Sequence, residues 1–110
     1  MIDATREIRR LNDSFRRSVS GGGKRLMTAG IAALPPQDQG AILAKVIAFE
    51  AFTEDNDPHG EHDFGAFDHA GRRIFWKIDT YDQSLEFGSE NPADPAQTTR
   101  VLTIMLAEEY

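Results

Sequence analysis

The sequence predicts one α+β domain in which a small antiparallel sheet, a hairpin plus one or two further strands, packs against two or three helices. The 110 residues, 40% of them hydrophobic, can bury one core and leave no room for two. Apolar residues recur at helical spacing in the segments near both ends, and a period-two segment lies between them. The resulting order of helices, hairpin, strand and final helix differs from the alternation of parallel βαβ units.

The first predicted element is an amphipathic helix over residues 5–18. Three apolar residues recur along it at helical spacing: Ile8, Leu11 and Phe15. The glycine run at 21–23 ends the helix, because consecutive glycines cost too much backbone entropy to continue it. The run is not a phosphate-binding loop, since no strand precedes it and no hydroxyl residue directly follows Lys24. A short strand is predicted at 25–28.

A second helix is predicted over residues 37–52, after the break at Pro35 and Pro36. Proline suits a first helical turn, where its missing N–H is no loss. The apolar residues of this segment cover more than one stripe, so we expect it to be the most buried helix. They are Ile42, Leu43, Val46, Ile47, Phe49 and Phe52.

A β-hairpin is predicted from strands at 64–68 and 73–81, joined by residues 69–72. Both strands are rich in aromatic and β-branched residues. Ile74, Trp76 and Ile78 occupy alternate positions, so one face of the second strand should meet the core and Trp76 should be buried. A third strand is predicted at 85–87, after a tight turn.

The last predicted element is a helix over residues 95–108. Asp94 can cap its free N–H groups, and Pro95 suits its first turn. A wide apolar face follows, formed by Val101, Leu102, Ile104, Met105 and Leu106. We expect this helix and the helix at 37–52 to cover the sheet.

Charge divides the chain unequally around its net of −6. Residues 1–25 carry seven basic and three acidic side chains, whereas the rest carries five basic and fifteen acidic ones. The basic first helix therefore either docks on an acidic body or contacts nucleic acid, and the negative balance opposes approach to phosphate. No segment resembles a signal peptide or a membrane helix, so a cytoplasmic protein is expected.

The acidic tract at 52–65, FTEDNDPHGEHDFG, is the place where chemistry is most plausible. It holds five carboxylates and two histidines without Lys or Arg: Glu54, Asp55, Asp57, His59, Glu61, His62 and Asp63. The adjoining strand adds Lys77, Asp79 and Tyr81 as a candidate site wall. A plain loop explains the tract as well, since residues 57–60 have the composition of a type I turn.

Metal templates fit this tract only in part. A calcium loop starting at Asp55 reaches Ala66 where a bidentate Glu is required. Zinc could take His59, His62, Asp57 and Glu61 as ligands. The spacing His59-Gly60-Glu61 matches the first half of a zinc deaminase signature, whose cysteine pair cannot exist in a chain without cysteine.

Several segments of the sequence resemble those of a small bacterial family, a domain of unknown function known mainly from alphaproteobacterial chromosomes and plasmids. They are LNDSFRRS, LMTAGIAALP, FTEDNDPHGEHDFG, IFWKIDTYD and DPAQTTRVLTIMLAEEY. The likeness extends from about Ile8 to Tyr110. It implies a bacterial cytoplasmic protein with an accessory or anti-defence role, and it brings no catalytic residue or cofactor.

The functional prediction is a small acidic, non-enzymatic interaction protein of mobile-element type. The acidic tract and the adjoining hairpin would bind another protein, in the way an acidic domain can block a nuclease or a nucleic-acid-binding surface. No cofactor is expected, and a divalent metal is the one candidate left open. The alternative is a metal-dependent hydrolase or metal-binding protein that uses the histidines and carboxylates of residues 54–63.

Overall fold

The computed structural model describes residues 3–18 and 21–110 and has the predicted α+β architecture. The described residues form three α-helices, four strands and a terminal 3-10 turn. In chain order they are α1 (Thr5–Arg17), β1 (Lys24–Met27), α2 (Ala29–Ala32), α3 (Pro36–Ile47), β2 (Phe64–His69), β3 (Arg72–Tyr81), β4 (Thr99–Leu106) and the turn Ala107–Glu109.

The sheet has the strand order β1-β4-β3-β2. β2 and β3 form the predicted hairpin, with Gly65 opposite Trp76 and Phe67 opposite Ile74. β3 and β4 are also antiparallel, whereas β1 joins β4 in parallel, with Lys24 aligned to Val101. The sheet is therefore mixed, and a segment from each end of the chain meets within it.

The helix predicted at 95–108 is wrong, because residues 99–106 form the strand β4. Asp94 caps only a single turn: its carboxylate accepts the Ala96 N–H at 2.9 Å, and its carbonyl accepts the Gln97 N–H at 3.1 Å. The apolar run that follows fills both faces of a strand lying between two neighbours, so it lacks the alternation of a half-exposed strand. Its β-branched residues favour this outcome: Thr99, Val101, Thr103 and Ile104.

Two further elements differ from the predictions. The strand predicted at 85–87 is wrong, because residues 82–88 form a turn in which Asp82 N–H donates to the Phe87 carbonyl at 2.7 Å. The predicted helix at 37–52 ends at Ile47, where the Arg16 side chain of α1 donates hydrogen bonds to the carbonyls of Val46 and Ile47. Phe49 and Phe52 therefore lie beyond the helix and pack on Trp76 with ring centroids 5.5 and 6.1 Å away.

All three helices lie on one face of the sheet. Ile31 of α2 and Ile42 and Val46 of α3 join one buried cluster with side chains of β3 and β4. α1 reaches the same face, because the Arg16 guanidinium lies 5.2 Å from the Trp76 ring. Trp76 is fully buried, which confirms the prediction for that residue. Among the described residues, no helix is long and apolar enough to cross a membrane.

Candidate functional site

The acidic tract forms an ordered loop that makes hydrogen bonds to α1. Asp57 is buried, and its two carboxylate oxygens accept the backbone N–H of His62 at 3.2 and 3.3 Å. The His62 ring lies flat on Phe52, with ring centroids 3.7 Å apart, and its Nδ1 is 2.9 Å from an oxygen of Asp13 on α1. His62 adopts a φ of +54°, a region that residues other than glycine rarely enter, so these contacts hold a strained residue.

A chain of polar contacts extends this attachment into the core. Asp13 also pairs with Arg16 at 3.1 Å, and Arg16 donates to the carbonyls of Val46 and Ile47 at 2.7 and 3.1 Å. Beside it, the Asn12 amide donates to the Glu61 carbonyl at 2.9 Å. The loop is therefore anchored at both Glu61 and His62, and its shape depends on α1.

Sequence reasoning missed the α1 side of this network. Ile8, Asn12 and Arg16 are the buried residues of α1, and they share one helical face because they are four residues apart. A periodicity search that counts only apolar residues passes over Asn12 and Arg16. The signal available in the sequence was a polar pair, Asn12 and Asp13, interrupting the apolar stripe.

Two carboxylates of the loop are electrostatically unfavourable where they lie. Burial raises the pKa of Asp63, and the nearby Asp57 and Asp79 carboxylates raise it further. Burial likewise raises the pKa of Glu61, with Asp63 as the next contributor. The fold thus keeps negative charge together at a cost in stability.

The other predicted site residues divide by exposure. Glu54, Asp55 and His59 are exposed, whereas Lys77, Asp79 and Tyr81 are half-buried on one side of β3. Lys77 and Asp79 pair with each other at 2.8 Å, and the hydrogen bond to Asp79 raises the pKa of Lys77. Two metal candidates, Asp57 and His62, are already occupied by protein contacts. Within residues 3–18 and 21–110, no three His, Asp or Glu side chains are grouped to hold a metal ion.

The sheet face opposite the helices carries an aromatic cluster. Phe64, Phe75 and Tyr110 lie together, with ring centroids 5.1 to 6.2 Å apart in edge-to-face contacts. Phe75 alternates with the buried residues of β3, so it lies on the same face as Lys77, Asp79 and Tyr81. All four of these β3 side chains are partly exposed, and the acidic loop enters β2 directly beside them. We call this surface the open face.

Comparison with known proteins places the chain in a family and adds no activity. No curated protein and no solved structure matches it. A family model described as "protein of unknown function (DUF3768)" matches residues 27–109, which include the acidic loop and every strand residue of the open face from β2 to β4. α1 precedes the matched region. This protein belongs to the DUF3768 family.

Proposed function

We propose that this protein is a binding module that docks its open face, bordered by the acidic loop, on a positively charged surface of another protein. The aromatic cluster on a sheet face without helix cover is the observation that carries the proposal. Aromatic residues are enriched at the centres of protein interfaces, and a contiguous exposed aromatic surface on a small domain is typical of a binding site.

The acidic loop supports the choice of a basic partner. Glu54, Asp55 and His59 are exposed on a loop whose backbone is fixed through Asp57, His62 and α1. A fixed loop loses little conformational entropy on binding, and concentrated negative charge accelerates the approach of a positive surface. The raised pKa values of Glu61 and Asp63 indicate that the fold tolerates unfavourable charge here, which a cationic partner would relieve.

We extend the proposal to the biological role implied by the resemblance. The resemblance implies carriage on bacterial chromosomes and plasmids, and such carriage would suit an accessory protein that acts in the cytoplasm on a host protein. Nucleases and nucleic-acid-binding proteins expose the basic surfaces that an acidic domain can block. An anti-defence inhibitor of this kind needs no catalytic residue and no cofactor.

A photo-crosslinking experiment tests which face meets the partner. A photoreactive amino acid is placed at Tyr110 on the open face or at Gln37, an exposed position on α3 across the sheet. In the host, the proposal expects a discrete adduct with one basic protein from position 110 and none from position 37. Equal labelling from both positions, or no adduct from position 110, contradicts it.

Purified partner then allows the surface to be dissected. Tyr110→Ala should weaken binding by about 2 kcal/mol or more, as removal of a central aromatic residue does at other interfaces.

Glu54→Lys with Asp55→Lys should lower the association rate, with an effect that shrinks at high salt. Glu90→Lys changes one exposed acid in a different loop and is the control, with half the charge change of the double variant. If it lowers the association rate by half as much as the double variant or more, on a free-energy scale, net charge and not the acidic loop is responsible.

A further inference from the structure

A cavity of about 290 Å³ lies on the helix side of the sheet, away from the open face. It opens between α1, the glycine run and the residues that precede β4. Its walls include Ser14, Phe15, Gly23, Arg25, Thr98 and Arg100, and no Asp or Glu is among the described residues that line it. The described wall of the cavity therefore carries two arginines and no carboxylate.

Arg100 is a buried cation, and its partners among the described residues are all neutral. The residue is 7% exposed, its Nε donates to Asn12 Oδ1 at 2.7 Å, and its Nη2 donates to the Pro92 carbonyl at 2.6 Å. No carboxylate among residues 3–18 and 21–110 forms an ion pair with it, and burial lowers its pKa without an opposing charge. Burying a charge without a counter-charge is costly, so the fold maintains this one at a penalty.

Arg25 places a second positive charge in the same wall. Its guanidinium lies 4.1 Å from the Phe15 ring and donates to the carbonyls of Ser18, Gly21 and Phe15 at 3.0 to 3.1 Å. These acceptors are all neutral. Gly23, at a φ of +83°, passes so close to the Phe15 ring and the Arg100 carbonyl that a side chain would overlap both. This packing holds Gly23 against Phe15 and the backbone of Arg100.

From this arrangement we propose that the cavity binds a small oxyanion, a phosphate or carboxylate group, which supplies the negative charge that both guanidiniums lack. Guanidinium groups match the geometry of these anions and keep N–H donors beyond those already engaged. Leu11, Phe15 and Pro95 add apolar wall beside the charge. The volume suits a ligand at the small end of the usual range.

Melting temperature measured against anion concentration tests the site. The intact protein is titrated with inorganic phosphate, with benzoate and with chloride at matched ionic strength. A bound anion raises the melting temperature in a saturable manner, and chloride at the same ionic strength does not. A response to phosphate alone assigns a phosphate group, and a response to benzoate alone assigns a carboxylate. No response to either beyond that of chloride overturns the proposal.

A matched pair of variants places the response in this cavity. Ser14 is an exposed residue of α1 that lines the cavity, so its replacement leaves both arginines and their hydrogen bonds in place. Ser14→Glu brings a carboxylate to the site and should weaken anion binding by about tenfold or more relative to Ser14→Gln, its neutral counterpart of the same size. Amide NMR shifts on titration should be largest at Gly23, Arg25 and Thr98. Equal binding by the two variants, or shifts centred elsewhere, contradicts the assignment.

Discussion

Gly65 shows how closely single residues are packed around Trp76. A methyl group at this position would lie 2.6 Å from the indole Cε2 and 2.8 Å from the Phe49 ring. Gly65→Ala should therefore cost about 1–3 kcal/mol of unfolding free energy, the usual penalty for overpacking a core. Chemical denaturation followed by Trp76 fluorescence measures it.

Gly40 provides the control for that substitution. It lies on an exposed side of α3, where a methyl group would meet nothing within 4 Å. Gly40→Ala should stabilise the protein by up to about 1 kcal/mol, because alanine is the better helix former. A stability loss at residue 40 as large as that at residue 65 would contradict the packing explanation.

Asp63 makes the stability of the protein depend on pH in a defined direction. Burial raises the pKa of this carboxyl above its ordinary value of 3.8, so the native state holds a proton more tightly than the unfolded state. Stability from this group is greatest below the ordinary pKa and falls as pH rises through the raised one. Asp63→Asn should therefore raise the melting temperature at neutral pH, and the gain should disappear in acid.

A control separates this local effect from a general change in net charge. Asp55→Asn removes an exposed carboxylate from the same loop. Its gain at neutral pH should be smaller, because the Asp55 side chain is exposed. An equal gain in both variants would indicate general charge repulsion and not burial at residue 63.

At the scale of elements, α1 stabilises the end of α3 through Arg16. The Arg16 side chain is fully buried, and it donates to the Val46 and Ile47 carbonyls while it pairs with Asp13. Arg16→Met should cost about 3–5 kcal/mol, because it removes a buried cation from Asp13 and from the two carbonyls that accept its hydrogen bonds. Arg17→Met removes an exposed arginine from the same helix and should change stability by about 0.5 kcal/mol or less. Urea titration of both variants compares them directly.

The acidic loop can be tested for metal binding and for its structural role together. His62→Ala removes the contacts with Asp13 and Phe52 and should lower stability by about 1–2 kcal/mol. His59→Ala changes an exposed residue and should have little effect. Neither zinc nor a chelator should change the melting temperature of the wild type. A one-to-one zinc effect that both substitutions abolish would favour the metal site instead.

The sequence was most informative where local pattern and tertiary environment agree. α1 and the hairpin follow from amphipathic periodicity and strand alternation, and the structure confirms both. β4 could not be separated from a helix, because a strand covered on both faces has no period-two signal and Asp94-Pro95 mimics a helix start. The position of β4 in the sheet and its parallel pairing with β1 depend on contacts between residues far apart in the chain. No local sequence pattern contains that information.

The candidate site shows the same division. The carboxylates of the acidic tract could be found by composition, but the partners of Asp57 and His62 lie in the loop's own fold and on α1. The aromatic cluster of the open face assembles residues from β2, β3 and the chain end. Arg100 lies in a segment that was predicted to be helical. Nothing in the sequence therefore indicated that it would be buried without a counter-charge.

At the scale of the whole molecule, the basic helix α1 and the acidic loop, which lie far apart in the chain, contact each other in the fold. The basic α1 hydrogen-bonds to the acidic loop through Asn12 and Asp13, and its Arg16 guanidinium lies 5.5 Å from the Phe52 ring. Arg10 pairs within α1 with Glu7, and Arg17 lies 3.7 Å from Glu50. Docking of α1 therefore depends mainly on a few specific hydrogen bonds, and salt should screen it only weakly.

The parallel pairing of β1 with β4 has a consequence for synthesis on the ribosome. Lys24 meets Val101, so the sheet is completed only after nearly the whole described chain has emerged. Until then the β2–β3 hairpin presents one unpaired edge of β3 and the apolar side of Trp76 to other nascent chains. Closing such a distant contact also slows folding, because the entropic cost of closing a loop grows with the logarithm of its length. The newly made protein therefore passes through an aggregation-sensitive interval that ends when β4 inserts between β1 and β3.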